Sequence, residues 1–173
     1  MVFIECVVSG PRREILDIVV RHPGSAHDAK IFDRSSVRCR FELDLLDGIL
    51  LGDSGYACRR YLLTPVLRPN NNAEIRYNNA HSRTRVIVEQ LFGIWKRRFL
   101  CLYYDLRTKL STSVAVICAT AVLHNTCIQY GLEEIEEEYV QDEIVEDMFN
   151  MFNGEENRIG LTHRRAFITR HFS

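Results

Sequence analysis

Several features that mark particular protein classes are missing from this 173-residue sequence. It has no run of about 18 apolar residues, so we predict no transmembrane helix. Its first residues have no basic lead, and Glu5 interrupts their apolar stretch, which argues against a signal peptide. A hydrophobic fraction of 46% and a charged fraction of 26% exclude a collagen-like, mucin-like or wholly disordered chain. The sequence therefore predicts one soluble folded domain, or one such domain with a tail.

The cysteines form no Cys-x-x-Cys pair and lie far apart, at Cys6, Cys39, Cys58, Cys101, Cys118 and Cys127. This spacing argues against a zinc cluster and against a disulfide framework. Reduced, buried thiols in a cytosolic or nuclear protein fit the pattern better. We expect Cys118 and Cys127 in particular to be buried.

The net charge of -1 conceals an uneven distribution of charge along the chain. Residues 1–132 contain 18 Lys and Arg against 12 Asp and Glu, whereas residues 133–147 contain nine acids and no base. A basic body with an acidic appendage is typical of many nucleic-acid-binding proteins. An ordinary solvated helix face gives the same pattern, so charge alone leaves both interpretations open.

Hydrophobic patterning and turn residues predict the order strand, strand, helix, strand, loop, helix, helix. The first two strands are joined as a hairpin by Ser9-Gly10-Pro11, and the later helix of the last pair is apolar enough to be buried on most sides. The predicted ranges are strands 2–8, 14–20 and 49–51, helices 26–34 and on to about 46, a loop through 64–72, a helix from Asn79 or Ser82, and a helix over 113–130. This order indicates an α/β or α+β fold with helices covering a mixed sheet.

The helix that begins at Asn79 or Ser82 has two different faces. Its core stripe recurs at helical spacing through Val88, Leu91, Phe92, Trp95, Phe99 and Leu102. Glu89 lies on another face, one turn from Gly93. A glycine inside a helix costs about 1 kcal/mol relative to alanine. Either Gly93 leaves room for a ligand near Glu89, or it allows close helix packing while Glu89 pairs with Arg85.

Two carboxylates are the candidates for chemistry. Asp53 directly follows a buried strand, and the flanking Gly52 and Gly55 let other groups approach it closely. Asp53 and Glu89 could hold a divalent metal, Mg²⁺ or Mn²⁺, through oxygen ligands. The surrounding stretch 76–109 holds eight bases, interleaved with Tyr77, Trp95, Tyr103 and Tyr104. Acids that bind a metal within a basic field suit the hydrolysis of phosphodiesters.

Six short motifs occur in a fixed order between about residues 3 and 131. Each motif is weak alone, but their joint order is highly specific. They are Arg21-His22-Pro23-Gly24-Ser25-Ala26-His27-Asp28, Leu51-Gly52-Asp53-Ser54-Gly55-Tyr56, Leu62-Leu63-Thr64-Pro65, Tyr77-Asn78-Asn79-Ala80-His81-Ser82-Arg83-Thr84-Arg85, Val88-Glu89-Gln90-Leu91-Phe92-Gly93 and Leu123-His124-Asn125. With these motifs the sequence resembles the Harbinger-type transposase-derived nucleases, which contain the DDE superfamily endonuclease domain.

The resemblance implies a ribonuclease-H-like mixed sheet with flanking helices, and two metal ions held by an Asp-Asp-Glu triad that cleaves DNA. Asp53 matches the second acid and Glu89 the third, with 35 residues between them. Residues 1–131 would then be a partial endonuclease domain, and residues 132–173 an acidic and then basic tail. The predicted contacts to DNA are Arg83, Arg85, Lys96, Arg97 and Arg98.

One part of the family pattern is absent from this sequence. The first acid of the triad belongs to an Asp-Gly-Thr-type motif on the first strand, which in relatives lies upstream of the position of Met1. That strand is central in the family's sheet, so we expect a sheet without it to have unpaired strand edges. We therefore expect little or no nuclease turnover from the chain as written.

Two functions are consistent with the sequence. One is a metal-dependent DNA endonuclease, and the other is a catalytically inactive copy that binds DNA or protein. The resemblance also implies a nuclear location, with a cytoplasmic fraction left open, and a Myb-like DNA-binding partner protein. No membrane association is expected, and the oligomeric state is left open.

Other polar residues in the motifs are assigned mainly structural roles. Asp28 is expected to be an acid at a helix start. His124 and Asn125 are expected to be hydrogen-bonded polar groups in the core. For His81, contact with substrate and a capping or surface role are both open.

Overall fold

The computed structural model describes residues 3–21, 28–104, 106–132 and 155–173. The fold is mixed α/β. Its elements in chain order are β1 (Phe3–Ser9), β2 (Ile15–Arg21), α1 (Asp28–Phe32), α2 (Ser36–Glu42), β3 (Leu50–Leu51), β4 (Leu62–Leu63), α3 (Asn72–Arg98), a 3₁₀ turn (Leu100–Leu102), α4 (Leu110–Gln129) and α5 (Glu155–Phe172). The chain divides into two compact units, one formed by residues 1–35 and 86–142, the other by residues 36–85 and 143–173.

The first unit is built on the hairpin of β1 and β2, which the sequence predicted and the structure confirms. The two strands pair antiparallel, with Cys6 opposite Val19. Its buried core brings together Ile15 of β2, the α3 residues Leu91 and Trp95, and the α4 residues Ile117 and Ala121. The predicted core stripe of the long helix is thus confirmed, and Phe99 and Leu102 pack against the same core just beyond α3.

The second unit is built on a very short parallel pair, β3 and β4, with Leu50 opposite Leu62 and Leu51 opposite Leu63. Its core contains Cys58, Leu63 of β4, Tyr77 of α3 and Ile168 of α5. The sequence predicted β3 but not β4, because a two-residue strand followed by Thr64-Pro65 carries no readable periodicity. Residues 158–173, which the sequence placed in a tail, form most of α5 and pack in this core.

The start predicted for the long helix is wrong by seven residues or more, since α3 begins at Asn72. The run of asparagines before it, interpreted as part of a loop, caps the helix. Asn71 Oδ1 accepts from the Glu74 N–H at 2.9 Å, and Glu74 Oε2 accepts from the Asn70 N–H at 2.6 Å. This reciprocal arrangement satisfies donors at the helix start and fixes where the helix begins.

The prediction that α4 is buried on most sides is also wrong. One face is buried, through Ser113, Ile117, Thr120, Ala121 and His124. Val122 and Leu123 on other faces are 66% and 51% exposed. The helix starts at Leu110 and ends as predicted before Gly131, which has a φ of 62°.

By length and composition alone, α4 could also span a membrane, contrary to the expectation from its apolar run length. Helices that pack in the core of a soluble protein pass the same test, and α4 packs on β2. The finding is therefore weak support for a membrane span.

Two further predictions differ from the structure. The second helical stretch, expected to reach about Leu46, ends at Glu42, because Asp44 adopts a left-handed φ of 53°. The four described strands form two separate two-stranded sheets, not one mixed sheet. The described residues supply no further strand that joins the two pairs.

None of the six cysteines, all of which lie in the described residues, forms a disulfide, but most are not buried as predicted. Only Cys58 is buried, while Cys118 is exposed and Cys127 half-buried, so the burial predicted for these two is wrong. Cys118 is exposed because it does not belong to the buried face of α4. The helix predicted over 26–34 corresponds to α1, Asp28–Phe32, and its predicted start at residue 26 lies outside the described residues.

Candidate functional site

Asp53 lies where the sequence predicted, just past the end of β3, and is half-buried in the second unit. The strand itself is half-buried, so the burial predicted for it is wrong. The strand is anchored by the Leu50 N–H, which donates to the Tyr61 carbonyl at 2.7 Å, and by the Gly52 N–H, which donates to the Leu63 carbonyl at 3.0 Å. The Asp53 carboxylate then accepts through Oδ1 from the Gly55 N–H at 2.7 Å. One carboxylate oxygen is therefore oriented by the backbone of its own turn.

The two glycines beside Asp53 are required by close approach. A Cβ at Gly52 would lie 3.1 Å from Leu62 Cδ1 and 3.2 Å from the Tyr56 ring. A Cβ at Gly55 would lie 3.0 Å from Asp53 Oδ1. Both contacts are tighter than side chains normally make. The structure thus supports the close approach predicted at these glycines. The groups that approach them are the protein's own side chains.

His81 joins α3 to the same strand ends, and it is buried, which overturns the surface or capping role considered for it. Its Nε2 lies 3.3 Å from the Leu63 carbonyl. Burial lowers the pKa of His81 below its usual value, and the charges of Arg85 and Arg164 act in the same direction. A neutral His81 with Nε2–H donating to Leu63 satisfies this geometry.

The turn after β4 is held by side chains from two helices of the second unit. The Tyr77 hydroxyl donates to the Thr64 carbonyl at 2.8 Å, and its burial raises the Tyr77 pKa. Arg164 of α5 donates from Nη1 to the Thr64 and Pro65 carbonyls at 3.0 and 2.8 Å. Sequence reasoning missed Arg164, because nothing in its surroundings marks a residue that bonds 100 positions away.

Two asparagines in the motifs each hydrogen bond to both backbone groups of one distant residue. Asn78 accepts from the Val66 N–H at 2.8 Å and donates to the Val66 carbonyl at 2.7 Å. Asn125 does the same with Ile15, at 2.8 Å in both bonds. His124 Nε2 lies 2.9 Å from the Arg13 carbonyl. The core structural role predicted for His124 and Asn125 is confirmed.

Glu89 lies on the exposed face of α3, in the part of that helix that belongs to the first unit. Its separation from the core stripe is confirmed, since Leu91 and Trp95 beside it are fully buried. Asp53 belongs to the second unit. The joint site of Asp53 and Glu89 stays a prediction.

The five bases predicted to contact DNA all lie on α3, and they differ in exposure. Arg83 and Lys96 are exposed, whereas Arg85, Arg97 and Arg98 are half-buried. Lys96 also lies 5.8 Å above the ring of Phe92. Of the predicted set, Arg83 and Lys96 are therefore the two most accessible to a phosphate.

The two candidate carboxylates have the chemistry that a divalent metal requires. Carboxylate oxygens are suitable ligands for Mg²⁺ or Mn²⁺, so Asp53 and Glu89 fit chemically. Within residues 3–21, 28–104, 106–132 and 155–173, no group of three or more His, Cys, Asp or Glu could hold a metal ion. Each carboxylate by itself nevertheless has the donor chemistry that such an ion requires.

Comparison with known proteins identifies the same segment as the motifs do. Residues 5–125 match the family described as DDE superfamily endonuclease. Three similar proteins share the name "Putative nuclease HARBI1". The Homo sapiens protein is 35% identical over 126 residues, covering 70% of this chain and 36% of that protein. The Mus musculus protein is 35% identical over 131 residues, covering 73% and 38%.

The Xenopus laevis relative is 30% identical over 118 residues, covering 66% of this chain and 34% of its own length. The chain thus spans little more than a third of the length of the curated relatives it matches. No solved structure matches the chain.

Proposed function

Because the chain belongs to the DDE superfamily endonucleases, we propose that it carries the Asp53 and Glu89 part of a divalent-metal-dependent DNA endonuclease site. The observation that carries the proposal is the turn after β3, where Asp53 is half-buried and oriented by the Gly55 N–H. A carboxylate held on a strand end by its own backbone is positioned with little freedom, as metal chemistry requires.

The proposed substrate is DNA, and the support is the charge of α3. Five bases occur along residues 83–98 of this helix, against one acid, Glu89 itself. Arginine and lysine side chains bind phosphates without reading sequence, so contacts of this kind position a strand beside the carboxylates.

In this proposal Asp53 and Glu89 hold Mg²⁺ or Mn²⁺. The metal, when bound, would supply charge stabilisation to the phosphodiester and an activated nucleophile. Arg83 and Lys96 would hold the phosphates on either side of Glu89. Because a two-metal site needs more carboxylate ligands than these two residues offer, we expect slow turnover or none from the 173-residue chain.

A ribonuclease-H-like arrangement of the strands is part of the proposal. Its support is the pairing itself, since the chain forms one antiparallel pair and one parallel pair with helices against each. The proposed location is the nucleus, and the proposed partner is a Myb-like DNA-binding protein. Both rest on the family alone.

The test measures metal binding and cleavage in the same preparations. Mn²⁺ binding is followed by electron paramagnetic resonance of the free ion, and cleavage by nicking of supercoiled plasmid. We expect Asp53→Asn and Glu89→Gln each to weaken Mn²⁺ binding at least about tenfold, because a ligand should contribute no less than an outer-shell group, whose loss costs about 10–100-fold. Asp47→Asn, an exposed acid after α2, is the matched control and should leave binding unchanged.

Unchanged Mn²⁺ affinity in both site variants would contradict the metal site. Robust metal-dependent nicking that both substitutions abolish would contradict the expected low turnover, and would mean that Asp17, Asp28 or a second chain supplies another acid. The second candidate function is a catalytically inactive DNA-binding or protein-binding module, and it is favoured because the part of the chain that the structure describes has no group of three metal-binding side chains. DNA binding without any Mn²⁺ dependence would support it.

A further inference from the structure

The segment that follows α3 presents two tyrosines to solvent. We call residues 100–104 the tyrosine turn. It is wound tightly, since the Tyr103 and Tyr104 N–H groups both donate to the Leu100 carbonyl, at 3.0 and 3.3 Å. The side chains of Tyr103 and Tyr104 are nevertheless 67% and 68% exposed. A rigid backbone thus carries two accessible aromatic rings.

These tyrosines differ from the other aromatics of the same stretch. Trp95 is fully buried, and Phe92 and Phe99 pack against the core of the first unit. The rings of Tyr103 and Tyr104 lie 5.5 Å apart and nearly perpendicular, at 76°. In an edge-to-face pair the edge of one ring covers one face of the other, so the remaining ring faces stay open. Packing of the core therefore does not explain their presence.

The tyrosine turn lies within a basic stretch of the same unit. Residues 96–109 contain five bases and one acid, and Lys96, Arg107 and Lys109 among the bases are exposed. A binding site for single-stranded nucleic acid combines two components, exposed aromatic rings and nearby positive charges. The charges attract the phosphates, and the rings stack on bases.

We propose that the tyrosine turn is a stacking platform for unpaired DNA bases, with Lys96, Arg107 and Lys109 holding the adjoining phosphates. The inference rests on the proposed function for its substrate class, and it narrows that class to DNA with a single-stranded or frayed segment. Bases inside an intact duplex already stack on their neighbours and offer no free face to a tyrosine ring. An unpaired base does, and tyrosine stacks on any base without reading its identity.

The experiment compares three fluorescein-labelled DNAs by anisotropy with the complete chain: a blunt duplex, the same duplex with a single-stranded overhang, and the single strand. Tyr103→Leu with Tyr104→Leu removes the flat π surface and keeps apolar bulk. Tyr103→Phe with Tyr104→Phe keeps the rings. Tyr130→Leu is the matched control, because Tyr130 is 72% exposed at the end of α4.

We expect the wild type to bind the overhang DNA and the single strand more tightly than the blunt duplex. The double leucine variant should bind both of these DNAs at least about fivefold more weakly. A fivefold loss is the lower end of the effect expected when one ring that stacks on a base is removed. Its affinity for the blunt duplex should stay within about twofold. The phenylalanine variant and Tyr130→Leu should bind all three DNAs as the wild type does. Thermal unfolding measured alongside verifies that the leucine variant folds.

Three results would overturn the inference. One is equal loss on the blunt and overhang DNAs, and another is no loss on any DNA. The third is a self-association detected by sedimentation that the leucine substitutions abolish, which would make the tyrosines a protein contact. Failure of the chain to bind any DNA would instead refute the proposed substrate, so the two failures are distinguishable.

Discussion

Two asparagine side chains hold distant backbone segments in place by pairing with both polar groups of one residue. Asn125 pairs with Ile15 in the first unit, and Asn78 pairs with Val66 in the second. At neutral pH, where carboxyl groups are ionised, the primary amides of Asn and Gln offer a donor and an acceptor side by side in this way. Both residues belong to the motifs that carry the family resemblance, so those motifs mark the architecture of the site as well as its acids.

The first prediction concerns Asn125→Asp. A carboxylate still accepts from the Ile15 N–H but cannot donate to the Ile15 carbonyl, and it faces that oxygen with like charge. We expect a loss of about 1–3 kcal/mol in the free energy of unfolding, measured by urea denaturation. Asn79→Asp, at an exposed position of α3, is the control and should stay within about 0.5 kcal/mol. Equal losses in the two variants would disprove the pairing role.

The second prediction is a pH dependence of stability due to His81. Burial lowers its native pKa below the usual 6.5, so the unfolded chain takes up a proton that the native protein does not. Above about pH 6.5 His81 should therefore have no effect on the pH dependence of the free energy of unfolding. Below that value the free energy of unfolding should fall progressively as the pH drops. The sign follows from the depressed native pKa.

The measurement for His81 is the urea midpoint between pH 8 and pH 5. His81→Gln should flatten part of the decline, and His171→Gln, at an exposed position of α5, should not. A profile of His81→Gln parallel to that of the wild type would show that another group controls the acid limb.

Among the helices, α5 depends on one glycine for its position in the second unit. A Cβ at Gly160 would lie 2.0 Å from the Cys58 carbonyl oxygen and 2.6 Å from the Arg59 nitrogen. These are backbone atoms, which cannot rotate away as a side chain would. Asn157 reinforces the contact by accepting from the Cys58 N–H at 3.1 Å. The helix can approach this closely only because residue 160 has no side chain.

The third prediction is therefore that Gly160→Ala displaces α5. Alanine is the better helix former, so the isolated helix would gain up to about 1 kcal/mol, yet we expect a net loss of about 1–3 kcal/mol from the steric conflict. Limited proteolysis should cut within residues 155–172 sooner, and thermal unfolding should begin earlier. Thr169→Ala at an exposed position is the control. Greater stability in Gly160→Ala would contradict the close approach.

The elements that could be predicted from the sequence are those with a long enough pattern. The hairpin and the Leu91–Trp95 stripe follow from alternation and helical spacing, and Asp53 follows from its glycines. The start of α3 was missed because asparagines suit loops and helix caps equally. The outward face of α4 was missed because alanine, cysteine and valine do not show which side meets solvent. The joint position of Asp53 and Glu89 depends on tertiary arrangement that no local pattern encodes.

For the molecule as a whole, the charge distribution leads to a fourth prediction, on DNA affinity. Binding should weaken with salt, with a slope of about -0.9 in log K against log salt for each neutralised phosphate. The double variant Arg83→Gln with Lys96→Gln should have a shallower slope, by the contribution of about two phosphate contacts. Arg40→Gln, an exposed base on α2, should leave it unchanged. Salt titrations monitored by anisotropy measure each slope.

An affinity that does not change between low and moderate salt would contradict the phosphate contacts. If the acidic segment covers some of these bases, deletion of residues 133–153 should strengthen binding. An unchanged affinity after the deletion would show that the acidic segment does not compete with DNA for the bases of α3.

Three side-chain hydrogen bonds join residues that lie far apart in the sequence, and this separation has a kinetic consequence. Asn125 reaches Ile15 across 110 positions, Arg164 reaches Thr64 across 100, and Asn157 reaches Cys58 across 99. The hairpin can form within about 10 μs, but contacts of such separation must wait for large chain loops to close. We expect refolding in milliseconds to seconds. We also expect the Asn125 bonds to form after the transition state, so that Asn125→Asp mainly accelerates unfolding. Stopped-flow chevron plots would show this as a shift of the unfolding limb.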